Sequence, residues 1–309
     1  MDGERRGGDA PDARARRRRA HDRPPRSRQA RAHGGAVKRA ILVGVLLALS
    51  ALAAPSGSGS ATLVAAHRGG AALWPENSLL AFRSAIALRV DFLEFDLHQT
   101  ADGEVIVLHD PTLERTTTGK GAVGDLKLAD LTPVRLRTRA GAATAEAVPT
   151  LGALLDLAAP AAVGLLPEIK VGAKGQRYPG IEEKVLGLHR ARGLLERATI
   201  QAFQPETLRR LRELDGKART MLLVSRGDVE RDRARPAEAV RRARELGATD
   251  LGMNHRLIDA DVIVAARAAG IRLSAWTVNE EADLRRMIDL GADIVMSDRP
   301  DLARRLLPR

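Results

Sequence analysis

The chain contains no cysteine. That absence excludes disulfides, thiolate metal sites, cysteine nucleophiles and a lipidated N-terminal cysteine. Aromatic residues supply only 2% of the 309 positions, too few for the stacking platforms that hold single-stranded nucleic acid. The one Gly-x-Gly-x-x-Gly spacing, Gly119 to Gly124, falls in an irregular stretch and not at a strand-to-helix turn, so it does not mark a dinucleotide crevice. The apolar run Ala40 to Ala54 has 15 uncharged residues, short of the roughly 18 that a spanning helix needs.

Positive charge is abundant, yet unevenly placed. The whole chain carries +11, which read alone would indicate a nucleic-acid or membrane-surface binder. Residues 1–39 hold 13 Lys/Arg against 5 Asp/Glu, whereas residues 40–309 hold 37 against 34. The remainder is nearly neutral, and we expect no nucleic-acid partner. Residues 1–36, with Arg16-Arg17-Arg18-Arg19 and no apolar periodicity, read as a disordered basic leader. Residues 37–60 read as a signal peptide and short linker. Lys38-Arg39 precede the apolar run, Ala51-Leu52-Ala53 gives a small-x-small exit, and Pro55 to Ser60 follow. The expectation is an exported protein, periplasmic or secreted, that meets a membrane only transiently; an uncleaved N-terminal anchor is the alternative.

Residues 61–309 alternate strands with helices. Short aliphatic runs fall at 62–66, 92–98, 163–169, 198–203, 220–224, 249–253, 271–277 and 293–297. Helical patterns lie between them at about 78–88, 150–159, 180–192, 205–214, 237–246, 259–269 and 280–290. Asn77-Ser78, Pro205 and Pro236 mark helix starts; Gly193, Gly247, Gly270 and Gly291 mark ends. Eight such units over this length predict an α/β fold, a (β/α)8 TIM barrel. One unit departs from the rule. Val105 to His109 follows the second strand too closely for a helical crossover, so Asp102-Gly103 is read as a hairpin turn that sets His109 opposite Asp96. Residues 110–149 then form an irregular loop insertion, placed to cover the active site.

Chemistry-bearing side chains fall at the strand ends, which in a barrel converge on one rim. Glu94 and Asp96, at i and i+2, share a strand face. Two inward carboxylates repel and are costly to bury. A divalent cation with Glu168 as third ligand resolves this, and all-oxygen ligation suits Mg²⁺ or Ca²⁺; pairing with Lys or Arg is the other solution. His67 and His109, at strand ends, are candidates for general acid and base. Arg68 and Lys170 are cations suited to a phosphate. His98, placed on the outer strand face, His189, placed on a helix surface, and His255 receive no role.

Taken together, His67-Arg68-Gly69-Gly70, Pro75-Glu76-Asn77-Ser78, Glu94-Phe95-Asp96-Leu97, Asp102-Gly103 and Val107-Leu108-His109-Asp110 resemble the glycerophosphodiester phosphodiesterase signature in order and spacing. Glu168-Ile169-Lys170, Gln201-Ala202-Phe203, Trp276-Thr277-Val278-Asn279 and Ser297-Asp298-Arg299-Pro300 resemble its later blocks. The resemblance spans about 62–302. It implies a barrel hydrolase, using one divalent cation, that cuts small-molecule glycerophosphodiesters to glycerol 3-phosphate and an alcohol. It makes His67 and His109 the acid/base pair and Glu94, Asp96 and Glu168 the metal ligands, with Glu76 and Asn77 nearby. Arg68 and Lys170 would bind phosphate; Phe203 and Trp276 would line the glycerol pocket. Ser78, Ser297, Ala202 and Gln204 depart from the common residues, the last two within reach of the pocket. Rival readings are a barrel phospholipase D or phosphoinositide-type lyase, which needs an exposed apolar ridge on residues 110–149, and a non-catalytic barrel.

Overall fold

The computed structural model describes residues 61–233 and 235–307. The basic leader and the signal peptide expected from the sequence lie outside the described residues. In chain order the elements are β1 (Leu63–Ala66), α1 (Leu79–Ala87), β2 (Phe92–Gln99), β3 (Val105–Val107), α2 (Leu128–Leu131), β4 (Arg135–Arg137) and β5 (Ala143–Ala147). Then come α3 (Leu151–Ala158), β6 (Gly164–Ile169), α4 (Ile181–Ala191), β7 (Thr199–Ala202), α5 (Pro205–Leu214), β8 (Arg219–Val224), α6 (Arg226–Asp232) and α7 (Glu238–Glu245). The last are β9 (Asp250–Asn254), α8 (Ala260–Ala269), β10 (Arg272–Trp276), α9 (Glu281–Leu290), β11 (Ile294–Ser297) and α10 (Pro300–Leu306).

Parallel pairing runs β1–β2–β6–β7–β8–β9–β10–β11 and returns to β1, closing an eight-stranded (β/α)8 barrel. The strands are buried on both faces. Outward residues such as Phe95, Leu97, Ile200 and Leu251 pack against the helices. Inward ones, among them Ala65, Leu166, Met221, Leu223, Ile294 and Met296, fill the barrel. Space inside is tight enough to require glycine on β9, because a Cβ at Gly252 would come within 2.6 Å of Leu223 and 2.9 Å of Met221. The register of β2 with β6 sets Glu94 beside Leu166 and Asp96 beside Glu168. The i, i+2 carboxylates thus share the inward face, above the apolar filling.

The helix signals act as the residue chemistry predicts. Ser78, Thr150 and Asp259 accept hydrogen bonds from backbone N–H groups three residues on. Gly270 and Gly291 end α8 and α9 in the left-handed region, at φ 67° and 82°. Two short helices, α6 and α10, were not anticipated.

The hairpin is present, one residue out of the expected register. Gln99 faces Val105 and Leu97 faces Val107, so Leu108 and not His109 comes opposite Asp96, its N–H donating to the Asp96 carbonyl at 3.0 Å. The cause is a three-residue loop, Ala101 to Gly103, closed by Thr100 N–H on the Glu104 carbonyl and turned by Gly103 at φ 87°. Residues 110–149 are also more ordered than their pattern implied. They hold α2, the antiparallel pair β4–β5, and a core of their own in which Leu113, Val123, Leu131, Val134 and Leu136 pack with Ile106 and Leu108. Their two ends are pinned together: Val107 N–H donates to the Pro149 carbonyl at 2.8 Å, and Ile106 bridges Thr150.

His98, His189 and His255 are all buried, so His189 does not lie on the helix surface expected for it. His98 Nδ1 meets the Tyr178 hydroxyl at 2.8 Å and Nε2 meets the His109 carbonyl at 3.0 Å. His189 Nδ1 donates to the Val185 carbonyl at 2.7 Å, on the core side of α4. His98, two residues past Asp96, falls by alternation on the face of Glu94 and Asp96 and not on the outer one; it stands beyond the barrel rim beside β3 and Tyr178.

Candidate active site

The C-terminal ends of the strands bring the chemical groups to one rim. Directly after β1 the chain turns sharply, with Arg68 at φ 52° and Asn77 at φ 59°, conformations that L-residues other than asparagine seldom adopt. This turn aims Arg68 inward. Its backbone N–H donates to Glu94 Oε2 at 2.8 Å, its Nη1 to Glu76 at 3.0 Å, and its Nε lies 3.4 Å from Asp96. Gly69 permits the turn to press on α1, where a Cβ would stand 2.7 Å from that of Ala81. Asn77 is fully buried and its amide donates to Asp96 Oδ2 at 2.8 Å.

Glu94, Asp96 and Glu168 are all buried, and one oxygen from each falls within 4.8 Å of the others. Burial and the neighbouring Asp96 charge push Glu94 up to about 8. Burial acts on Asp96 the same way, but Lys170 and Arg68 overcome it and hold that carboxyl well below its ordinary range. Glu168 is raised by burial, despite Lys170. Lys170 Nζ lies 2.6 Å from Glu168 and 3.1 Å from Asp96, so its ammonium bridges two of the three carboxylates. Gln201, the register partner of Glu168 on β7, donates to Glu94 at 3.0 Å.

The two histidines are held alike. His67 Nδ1 is 2.6 Å from Asp298, which in turn takes a hydrogen bond from the Asn279 amide at 2.7 Å. His109 Nδ1 is 2.6 Å from Asp110. A carboxylate at Nδ1 keeps the proton of the neutral ring there and leaves Nε2 free for a substrate. Burial lowers His67, but Glu94 and Asp298 outweigh it and the ring is raised overall. His109 is lowered, by burial and by Lys170, against the pull of Asp96. Against burial, Arg115 and His109 hold Asp110 down to about 2.

His67, Arg68, Glu94, His109, Glu168 and Lys170 line one cleft of about 100 Å³, walled on the far side by Phe203 and Trp276. Those two rings meet edge to face, 5.7 Å between centroids. Asp96 and Asn77 lie beneath the cleft, and Glu76 behind Arg68. A larger hollow of about 510 Å³ between α5, α6 and α7 is lined by Arg and Glu/Asp side chains paired with one another, such as Arg209 with Glu206 and Arg242 with Asp232. It holds none of the acid, base or candidate-ligand groups, and chemistry rather than volume identifies the site.

All eleven residues singled out in the sequence therefore fall in or directly around one cleft. Asp298 and Gln201 stand in the motif blocks without an assigned role, and Arg115 and the structural part played by His98 have no sequence reading at all. Asp110 stood beside His109 in the sequence, but Asp298 lies 231 residues from the ring it holds, and only the closed strand order brings them together.

The family model for the "Glycerophosphoryl diester phosphodiesterase family" matches residues 67–302. A glycerophosphodiester phosphodiesterase of Caldanaerobacter subterraneus subsp. tengcongensis is 32% identical over 241 residues, 78% of this chain and 95% of that protein. One of Bacillus subtilis is 30% identical over 256 residues, 78% of this chain and 84% of that protein. Among solved structures, a glycerophosphodiester phosphodiesterase of Agrobacterium tumefaciens superposes with a TM-score of 0.65 at 25% identity, covering 79% of this chain and 99% of that one.

Proposed function

The chain belongs to the glycerophosphoryl diester phosphodiesterase family and is a phosphodiesterase of that kind; from this we propose that it hydrolyses small, soluble glycerophosphodiesters to glycerol 3-phosphate and an alcohol. The observation that carries the reading is the pair of histidines, each fixed at Nδ1 by a carboxylate, on a cleft lined also by Arg68, Lys170 and two buried carboxylates.

The donor set fits a divalent cation. One oxygen from each of three buried carboxylates lies within 4.8 Å of the other two, with the Lys170 ammonium beside Asp96 Oδ1 at 3.1 Å. All-oxygen ligands suit Mg²⁺ or Ca²⁺. When bound, such an ion would neutralise phosphodiester oxygens and stabilise the charge that grows on them. Arg68, fixed from behind by Glu76, presents its cation to the phosphate, with Lys170 beside it. One histidine takes the proton of the attacking oxygen at its free Nε2; the other returns one to the leaving alcohol. Phe203 and Trp276 offer an apolar wall for the glycerol carbons.

A soluble substrate is favoured over a lipid by the state of the insertion. Its aliphatic side chains are consumed in its own core, and the large apolar residues exposed among the described ones are Leu73, Leu80 and Val264, none of them in residues 110–149. We further propose export through the N-terminal segment, supported by its basic flank, apolar run and small-residue exit; N-terminal sequencing of the protein recovered outside the cytoplasm tests this. The decisive assay is metal-dependent release of glycerol 3-phosphate from glycerophosphocholine. EDTA should abolish it and added Mg²⁺ or Ca²⁺ restore it. Full activity in EDTA would remove the metal from the reading, and no release from any glycerophosphodiester would remove the substrate.

A further inference from the structure

Arg115 lies in the insertion, five residues beyond Asp110, and does not line the cleft. Its guanidinium nevertheless makes two bidentate contacts. Nε and Nη2 donate to the two oxygens of Asp110 at 2.6 and 2.8 Å. Nη1 and Nη2 donate to the two oxygens of Glu76 at 3.0 and 2.8 Å. Each carboxylate continues into the site: Asp110 to His109 Nδ1 at 2.6 Å, Glu76 to Arg68 Nη1 at 3.0 Å. A single planar group thus connects one of the two histidines with the arginine that faces the cleft.

The backbone under Arg115 is itself fixed. Leu113 is buried in the insertion core, and its carbonyl accepts from both the N–H and the hydroxyl of Thr117, at 3.1 and 2.6 Å. The side chain of Arg115 is 47% exposed, where an ordinary ion pair adds little to stability. A surface residue that meets four carboxylate oxygens along the edges of its one plane is placed for geometry. Only a guanidinium fork can do this; a lysine ammonium offers a point charge.

We propose that Arg115 is a positioning residue for the phosphodiesterase reaction, holding the His109 ring through Asp110 and the Arg68 guanidinium through Glu76. The insertion is then a working part of the site rather than a cover over it. This rests on the function proposed above.

The test uses the full chain and glycerophosphocholine. Arg115→Ala should lower kcat roughly 30-fold, in the range of outer-layer partners of functional groups, while the melting temperature stays within a few degrees. Arg115→Lys, which keeps the charge, should recover little of the loss. Guanidinium at tens of millimolar should restore Arg115→Ala at least about tenfold, and ammonium should not. In an Asp110→Asn background the same Arg115→Ala change should cost less than about tenfold, because one of its two routes is already cut. The proposal is overturned if Arg115→Ala retains kcat within about threefold, if Arg115→Lys works as well as the parent, or if the loss follows unfolding and guanidinium does nothing. Should Arg115→Ala fail to fold, Arg115→Lys decides alone. An inactive parent protein would overturn the proposed function and this inference with it, whereas an active parent with an equally active Arg115→Ala overturns only the inference.

Discussion

The two histidine arms of the cleft are chemically the same and architecturally opposite. His67 follows β1 and its partner Asp298 follows β11, strands paired residue for residue from Leu63–Ile294 to Ala66–Ser297. The closed barrel sets that distance, and the His67 side chain is 14% exposed. His109 and Asp110 are sequence neighbours at the root of the insertion, and His109 is 30% exposed. Nothing in the parallel sheet fixes them; the His98 contact to the His109 carbonyl and the Arg115 fork do so. One arm is positioned by long-range topology, the other by local chain plus a few polar contacts. The lesson is that equal hydrogen-bond lengths can rest on supports of very different stiffness.

The largest effects should come from the histidines themselves. His67→Ala and His109→Ala are each expected to lower kcat about 10³-fold or more with the fold retained, checked by circular dichroism alongside the assay. A diester with an acidic leaving alcohol should revive only the variant that has lost the acid, which would assign the two roles to the two arms. Next are the carboxylates: Glu94→Gln should weaken the divalent cation at least about tenfold by titration calorimetry, since it removes a charged oxygen donor. The comparison itself is probed by the partners. Asp298→Asn should cost about 100-fold in kcat, because it removes the carboxylate that holds His67 Nδ1 in the barrel wall, and Asp110→Asn about 30-fold. Equal or reversed losses would break the contrast between a rigid and a soft arm. Leu136→Ala, in the insertion core, should destabilise by about 2–4 kcal/mol. If the insertion opens separately from the barrel, hydrogen exchange will quicken in residues 106–148 and not in β7–β9.

The smallest effect concerns the barrel's helix layer. His189 is pushed down to about 4 by burial. Its folded value lies below the ordinary 6.5 of the unfolded chain, so the unfolded state takes up the proton first as pH falls. The stability that depends on a neutral ring is complete above pH 6.5 and is lost between there and pH 4, by about 3 kcal/mol. His189→Leu should flatten that slope in urea unfolding without altering kcat at neutral pH; an unchanged slope would show that His189 is not the group responsible.

Legibility in the sequence divides along the same line as the two arms. The barrel was readable because its strands are short, mostly apolar runs and its helices carry caps such as Ser78 and Asp259. The site residues were readable because they cluster at strand ends. The insertion was not, because Leu113, Val123, Leu131 and Leu136 reach one core from turns and short elements, with neither a 2.0 nor a 3.6 period to reveal them. The hairpin register slipped by one because a three-residue loop and a two-residue loop look alike around Asp102-Gly103. Asp298 had no local sign of its pairing. Arg115 carries no local sequence signal, since its two carboxylates, Asp110 and Glu76, come together only in the fold.

The pinning of residues 106–107 to 149–150 has a consequence for inheritance. Since the segment leaves and rejoins the wall at adjoining points, the barrel senses only that pair of anchor contacts, and lengthening or shortening the piece between them alters the closure entropy slowly. Evolution, or an engineer, can treat that stretch as a graftable cassette. What travels with it is His109 and the Arg115 fork, so any exchange of the cassette also replaces one arm of the cleft.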